Sequence, residues 1–572
     1  MRFPDLQAFL WVKGALLGMF SQGDAQWKAN QVVAFSMKLS PFRFNPNLYA
    51  RNKLRATLRG YHKICKDNRV GLFRNLKSNL SQVQIPRVAE GAASYLFGAG
   101  IVHSERVVRQ LLLDRYANAR MYRAILFSIG KGASVTFPMP KVWRLEFQRA
   151  GIDINHFFSA LGWIFVLLIR YSAGLFSILK TSKQLMQKQS LHSTSGPYAY
   201  FDDLVSSNLP KNNKQQFNYD ICTWYAGWDG RSPNLKAIKH NVTDNSTSAL
   251  GLVVEKMNTP PYLLFRDPYL TSRFLVWCLI AALRAFFELI CGRWWHAFIL
   301  AEAVKAKAMS LSKKEAVAEE YLFHYSGVVY RPLWTYEAEE KGARIILYFY
   351  SVSEQPMLPK GYESQKYEWA ASSWPLYLVW DKWHKEQLER DLEVASEISI
   401  VGPIYFSDAA DSLENISNAI VVFDVEPHKL SLHFPQSTLS EYLAEFPDLN
   451  ARFFNDIQTV LSEMGKIMLI KRKREVGERT RKRYIKAIKE IVLRDGVSLL
   501  PSSISPCKAI NMSVGVISMP FTSTALLARV QGVPSIYYDP TGWINKSDRA
   551  AHGLQVLCGL DELRGWVSSC CT

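Results

Sequence analysis

The sequence predicts an α/β fold with two Rossmann-like domains facing a cleft, and a membrane-interacting helical insertion in the N-terminal one. Three observations lead there. The chain has 572 residues, more than one core organises. From residue 321 onward, short runs rich in Val, Ile and Leu alternate with helical patterns, as parallel sheets require. Two apolar stretches with basic and aromatic flanks interrupt the first half, the pattern of helices lying in a membrane interface.

Composition narrows the classes. Hydrophobic residues make up 48% and charged residues 21%, a globular balance. The formal charge of +19 calls for anionic partners, and cations are dense between Arg43 and Lys77. There is no zinc-finger spacing, no RNP-type strand and no long basic helix, so nucleic acid is not the expected partner. An anionic membrane surface accounts for the charge together with the 16 Trp. None of the eight Cys forms a C-x-x-C pair, so neither a disulfide framework nor a zinc site is expected, and a reducing compartment is. The apolar N-terminus is broken by Pro4, Asp5, Gln7 and Lys13, unlike a secretory signal.

In chain order, residues 1–85 read as a basic extension with little pattern. The first domain covers 86–412. Arg123–Ser128 reads as a strand, and Lys141–Ala150 as a helix ended by Gly151. The apolar stretches are Phe157–Leu179, interrupted by Arg170, and Phe274–Leu300, interrupted by Arg284. Each uninterrupted run is shorter than the ~18–20 residues of a spanning helix, and mid-membrane charge is costly. Interfacial helices are therefore expected, with buried core helices as the alternative. They bound an insertion at about 155–310 that includes the polar stretch Ser190–Ser248. Strands follow at Tyr321–His324, Arg344–Tyr350, Leu376–Trp380 and Glu397–Val401, with helices at Arg331–Glu340 and Lys382–Leu392. A boundary is expected within 405–417. The second domain, 413–572, reads as strands Ala419–Phe423, Lys466–Ile470, Ser498–Leu500, Val514–Ile517 and Ser535–Tyr538. Its helices are Leu449–Met464, Tyr484–Leu493 and Thr524–Gln531.

The chemistry concentrates in that second half. After the strand ending near Ser518 come Pro520, Phe521, Thr522, Ser523 and Thr524. Their hydroxyls and backbone N–H groups sit at a helix start, a natural phosphate site, and at the carboxyl end of a parallel strand, where ligands bind. Spacing alone fits an ordinary helix cap equally well. Lys471, Arg472, Lys473 and Arg474 follow a neighbouring strand and suit phosphate or carboxylate, one or two facing the crevice. Tyr538, Asp539, Arg549 and His552 follow the last strand. Carboxylates for a general base are plentiful (Asp202, Asp203, Glu337, Asp424, Glu426); the cleft would put the base on the first domain, where physics does not choose between Glu337 and the pair Asp202 and Asp203.

The chain resembles the polysaccharide biosynthesis PFTS motif proteins, named for Pro520-Phe-Thr-Ser523. The resemblance runs from about Arg123 to the C-terminus. It includes Tyr330–Glu339, Ile345–Ser351, Val401–Pro403, Leu469–Arg474, Ile517–Thr524, Tyr537–Pro540 and Asp548–Gly553. It implies a GT-B-like glycosyltransferase of bacterial surface polysaccharide synthesis at the cytoplasmic face of the inner membrane. By analogy with related two-domain transferases, Thr522, Ser523 and Thr524 would hold the donor phosphate. The basic cluster would suit an acidic, CMP-activated sugar. The expected partners are a nucleotide-sugar donor, a lipid-linked or lipid-anchored glycan acceptor and an anionic membrane surface. No Asp-x-Asp stands at a strand end, so no metal is expected, and no cofactor. A polyol-phosphate transferase and a non-catalytic assembly protein are the alternatives.

Overall fold

The computed structural model describes residues 46–67, 71–96, 98, 102–186, 196–202, 204, 209–210, 217–242, 247–265, 267–324, 330–352, 357–361, 368–404, 407–409, 418–427, 442, 446, 448–472, 475–477, 480–520 and 522–570. It opens with helices α1 (Pro46–Lys66), α2 (Leu72–Gln82), α3 (Val88–Leu96), α4 (Ser104–Tyr116), α5 (Ala119–Lys131), α6 (Lys141–Arg149) and α7 (His156–Met186).

Two expectations fail here. Within the segment read as a basic extension with little pattern, α1 and α2 are helices, and Ile64, Phe73, Leu76 and Leu80 join the largest core cluster. Arg123–Ser128 is the middle of α5, not a strand. Its buried residues Met121, Tyr122, Ile125 and Leu126 recur at helical spacing. Asn118 accepts from the Arg120 N–H at 3.0 Å to start the helix, and Gly132 ends it in the left-handed region at φ +62°. Helices α1 and α5 pack backbone to backbone: a Cβ on Gly60 would fall 1.9 Å from the Leu126 carbonyl oxygen, and one on Gly130 the same distance from that of Ala56.

The chain then builds its first sheet from β1 (Tyr198–Phe201), β3 (Ala237–His240), β4 (Thr247–Ala249), β5 (Leu252–Lys256), β6 (Glu320–His324), β7 (Arg344–Tyr348), β8 (Leu376–Val379) and β9 (Glu397–Ile400). A separate strand β2 (Phe217–Tyr219) and helix α8 (Ile221–Ala226) lie between β1 and β3. Helices α9 (Pro268–Ile290) and α10 (Trp295–Leu311) precede β6, and α11 (Trp334–Glu340) and α12 (Lys382–Asp391) follow β6 and β8. The order is β4-β5-β3-β1-β6-β7-β8-β9, parallel except for β4. The polar stretch Ser190–Ser248, read as part of an insertion, thus supplies strands next to the centre of this sheet. Both faces are covered. Tyr198 and Tyr200 point into one cluster, Ala199 and Phe201 into another, which explains the near-continuous apolar strands.

The apolar stretches become longer helices than the interrupted runs suggested. Helix α7 continues through Arg170 to 31 residues, long and apolar enough to cross a membrane, with most of its apolar window unburied. Of the interrupting charges, Arg170 turns inward, while Arg284 stays exposed and pairs with a buried carboxylate. The Arg170 guanidinium lies 5.3 Å from the centre of the Phe298 ring and its Nε donates to the Tyr116 hydroxyl. Glu288 pairs with Arg284 at 3.2 Å and with Arg293. The outward faces stay apolar: Phe157, Leu161, Ile164 and Leu168 on α7, and Val276, Leu279, Leu283 and Phe287 on α9, are exposed.

Beyond β10 (Ser407–Ala409), which pairs antiparallel with β2, the expected boundary at 405–417 lies mostly outside the described residues. The second sheet follows the predicted alternation: β11 (Ala419–Phe423), α13 (Leu449–Glu463), β12 (Ile467–Lys471), α14 (Lys482–Ile491), β13 (Val497–Leu500), α15 (Pro506–Asn511), β14 (Gly515–Ser518), α16 (Thr524–Val530), β15 (Ser535–Tyr538), β16 (Val556–Leu557) and α17 (Leu560–Ser569). Its order, β13-β12-β11-β14-β15-β16, is entirely parallel. The molecule is therefore mixed α/β, with two parallel-rich sheets.

Candidate active site

In the second sheet, β12 and β13 lie on one side of β11, and β14 to β16 on the other. The order reverses between β11 and β14. At such a point the loops leaving adjacent strands diverge to opposite faces and open a crevice at the carboxyl ends. Register sets what borders it. Lys471, Phe423, Ser518 and Tyr537 pair across one row. The carboxyl ends here are followed by Arg472 after β12, Asp424 after β11, and Met519, Pro520, Thr522 and Ser523 after β14.

The loop after β14 is internally braced. The Met519 N–H donates to the Phe423 carbonyl at 2.8 Å, and the Thr522 hydroxyl to the Met519 carbonyl at 2.9 Å. Ser518 and Thr524 share a hydroxyl contact of 2.9 Å, Thr524 reaches the Thr522 hydroxyl at 3.3 Å, and the Tyr537 phenol donates to the Thr522 carbonyl at 2.7 Å. Two of the three hydroxyls thus hold the loop's shape. Ser523 occupies the cap position of α16 without a side-chain capping bond. Pro520 is buried beside it, and Phe521 lies outside the described residues.

Of the four-cation run, Lys471 and Arg472 are buried at the carboxyl end of β12, the strand beside β11; Lys473 and Arg474 lie outside the described residues. The Lys471 ammonium donates to the Arg472 carbonyl at 2.6 Å and the Ser502 carbonyl at 3.2 Å. Burial, then the adjacent Arg472, lowers its pKa. Arg472 pairs with Glu475 at 3.1 Å. Between these cations and the loop stands Asp424, which the sequence did not single out from other carboxylates. Burial raises its pKa to about 6, against the lowering effect of the Tyr484 phenol. The available signal was its place directly after the first strand of this sheet.

The remaining sequence candidates divide. Asp539 accepts from the Tyr442 phenol at 2.6 Å, the Thr541 N–H and hydroxyl at 2.8 and 2.7 Å, and the Ile544 N–H at 2.8 Å. The Tyr538 phenol donates to Asp456 at 2.8 Å. Both residues are committed to structure within this half. Arg549 pairs with Glu386 at 3.6 Å, and the buried His552 ring places Nδ1 2.9 Å from both Asp381 carboxylate oxygens. These contacts join loops after β15 to α12. Pro359 also bridges Ile544, and Asp548 accepts from the Leu358 N–H at 2.6 Å. Loops at the carboxyl ends of both sheets therefore touch.

In the first sheet the order likewise reverses, between β1 and β6. Asp202 follows β1 there, its N–H donating to the Leu322 carbonyl at 2.9 Å. Asp203 lies outside the described residues. Glu337 lies elsewhere: it is buried in α11, close against Gly98 and near enough to Lys307 to oppose the lowering of that lysine's pKa. The structure thus sets Pro520 and Thr522 to Thr524 after β14 at one reversal, Lys471 and Arg472 at the end of the strand beyond β11 and Asp202 at the other reversal, and leaves Glu337 among helices.

The family model for polysaccharide biosynthesis PFTS motif protein matches residues 281–567, half of the chain. This chain belongs to that family. The match takes in the whole second sheet and the loop carrying the motif. No curated protein matches the chain. Among solved structures, one titled "Crystal Structure of TarM" aligns at 11% identity with a TM-score of 0.27, over 47% of this chain and 51% of that one. The PFTS protein thus spans about half the length of that structure, a likeness too slight to bear on its fold.

Proposed function

We propose that this PFTS protein is a GT-B-like glycosyltransferase that moves a sugar from a nucleotide-sugar donor to a membrane-associated glycan acceptor without a metal. The observation that carries the reading is the position of the motif. Pro520 and Thr522 to Thr524 follow β14, which borders the strand-order reversal of a fully parallel sheet, and Lys471 and Arg472 are buried at the carboxyl end of β12, one strand further on. The Ser523 hydroxyl and nearby backbone N–H groups would receive the donor phosphate. Lys471 and Arg472 would offset the charge that builds on the leaving nucleotide, a role worth most in a partly desolvated site. They also suit a donor that is itself acidic, such as a CMP-activated sugar. The carboxylate that takes the acceptor hydroxyl's proton would come from the first sheet, with Asp202 favoured over Glu337 by its place at the other reversal. The outward faces of α7 and α9, with Lys180 and Lys183 at the end of α7, would lie against an anionic membrane at the cytoplasmic face.

The test is transfer to a membrane fraction from a panel of labelled UDP-, GDP- and CMP-sugars and CDP-glycerol. The reading expects one sugar donor to label glycan. Asp202→Asn should lower kcat by about 100-fold with nucleotide binding retained, within the usual range for a lost general base. Labelling only from CDP-glycerol would reassign the chain to polyol-phosphate transfer, and no labelling from any donor would point to a non-catalytic assembly role.

A further inference from the structure

A cleft lies on the first sheet at the opposite end of the β1–β6 pair from Asp202, and outside the second sheet. It encloses about 1000 Å³ at the amino ends of β1, β6 and β7. Its cations are Lys239, Lys256, Lys313, Lys314, Lys341 and Arg344. Only three carboxylates join them, and two of those have partners: Glu255 lies 3.6 Å from Lys239, and Glu319 accepts from the Ser232 hydroxyl. Several of the cations are held in place. The Lys239 ammonium stands 4.2 Å over the Tyr198 ring, Lys341 donates to the Ser310 carbonyl at 3.1 Å, and Arg344 donates to Glu320 at 2.6 Å and to the Gly230 carbonyl at 2.9 Å. Lys313 and Lys314 stand exposed on the rim. Tyr198, Met257, Leu264 and Val317 supply an apolar floor.

From this we infer a second anion site, separate from the proposed donor crevice, that takes a phosphate-bearing ligand with an apolar or aromatic part. The cations match phosphate as point charges, and a concave apolar floor with a few convergent polar groups is what small-ligand sites share. The placement adds a consequence. The segment 257–264 leads directly into α9, and residues 312–318 lead out of α10 into β6. An occupant would hold the root of the apolar helices against the sheet. The phosphate can be borne by a soluble metabolite or by a lipid headgroup, and the two sources are separable.

Inorganic pyrophosphate is titrated calorimetrically into the full chain, the Lys313→Glu/Lys314→Glu variant and the Ser523→Ala/Lys471→Met variant. In parallel, flotation is measured with phosphatidylcholine vesicles with and without phosphatidic acid. A soluble ligand predicts that the Lys313/Lys314 variant binds pyrophosphate about tenfold more weakly, while the Ser523/Lys471 variant keeps that binding event. A lipid-borne phosphate predicts that the Lys313/Lys314 variant loses the phosphatidic acid dependence of flotation and keeps its binding to phosphatidylcholine alone. Both substituted lysines are exposed, so an unchanged melting temperature accompanies either result; should the double variant fail to melt cooperatively, Lys313→Gln and Lys314→Gln are titrated singly. If these rim variants match the unsubstituted chain in both assays, the site does not exist. Failure of nucleotide binding in the Ser523/Lys471 variant alone would bear on the donor crevice and leave this site standing.

Discussion

Asp424 stands one residue beyond the central strand of the second sheet, buried and with its pKa raised to about 6. Its folded pKa lies above the unfolded value near 4, so its protonated form is the one the fold favours. Its contribution is full below the unfolded pKa and declines as pH rises from about 4 through 6, by ~1.4 kcal/mol for each unit of difference. Asp424→Asn should remove that decline. The variant's melting temperature should exceed that of the unsubstituted chain more at pH 7 than at pH 4, and parallel curves would refute the buried, raised carboxyl. The hydroxyl loop at 522–524 was legible in sequence because a strand end, a proline and three hydroxyls coincide there. Asp424 was not, because one carboxylate among many carries no mark until the strand order shows that the strand it follows borders the reversal. Glu337 misled for a related reason. It opens a strand–loop–helix unit, yet the turn of α11 carries it toward Gly98 and away from the strand ends.

The packing of α1 on α5 tests how elements meet. In an exposed helix interior, Gly→Ala gains about 1 kcal/mol from propensity. At Gly130 the new methyl would meet the Ala56 carbonyl oxygen at 1.9 Å, backbone that can yield only by separating the helices. Gly130→Ala is therefore expected to destabilise by ~3 kcal/mol, in the range of overpacked cores, read as a fall in denaturation midpoint. A gain in stability would mean α1 does not dock there. The same region shows where element reading fell short: Arg123–Ser128 in α5, with four consecutive apolar residues, looks like a strand when helix and strand cannot be told apart by periodicity over so few residues. In α7, Arg170 suggested a broken helix, but its charge is absorbed by Phe298 and Tyr116 on the inner side. On the outer side of α9, Leu279→Glu with Leu283→Glu should abolish flotation with anionic vesicles while leaving the melting temperature within a few degrees, since both side chains are exposed. Retained flotation would remove α9 from the membrane-facing surface.

At the scale of the whole molecule, both sheets reverse strand order at a central pair, β1–β6 in one and β11–β14 in the other, and their carboxyl-end loops meet through Asp381–His552 and Pro359–Ile544. The second sheet was almost fully legible, because its strands are short apolar runs separated by capped helices. The first was legible only from β6 onward. Its strands β1, β3 and β5 are embedded in polar sequence between two long apolar helices, and their partners lie far along the chain, where local pattern carries no information. The central claim is that the PFTS loop and its neighbouring cations hold a nucleotide's phosphate. Thermal shift of the purified full chain with UDP, GDP, CMP and CDP addresses it directly, because a ligand at 100 times its Kd adds about 2.7 kcal/mol to stability. One nucleotide should raise the melting temperature selectively, and Ser523→Ala with Lys471→Met should remove the rise without lowering the unliganded transition by more than a few degrees. No shift with any of the four, or an equal shift in the double variant, would contradict the account.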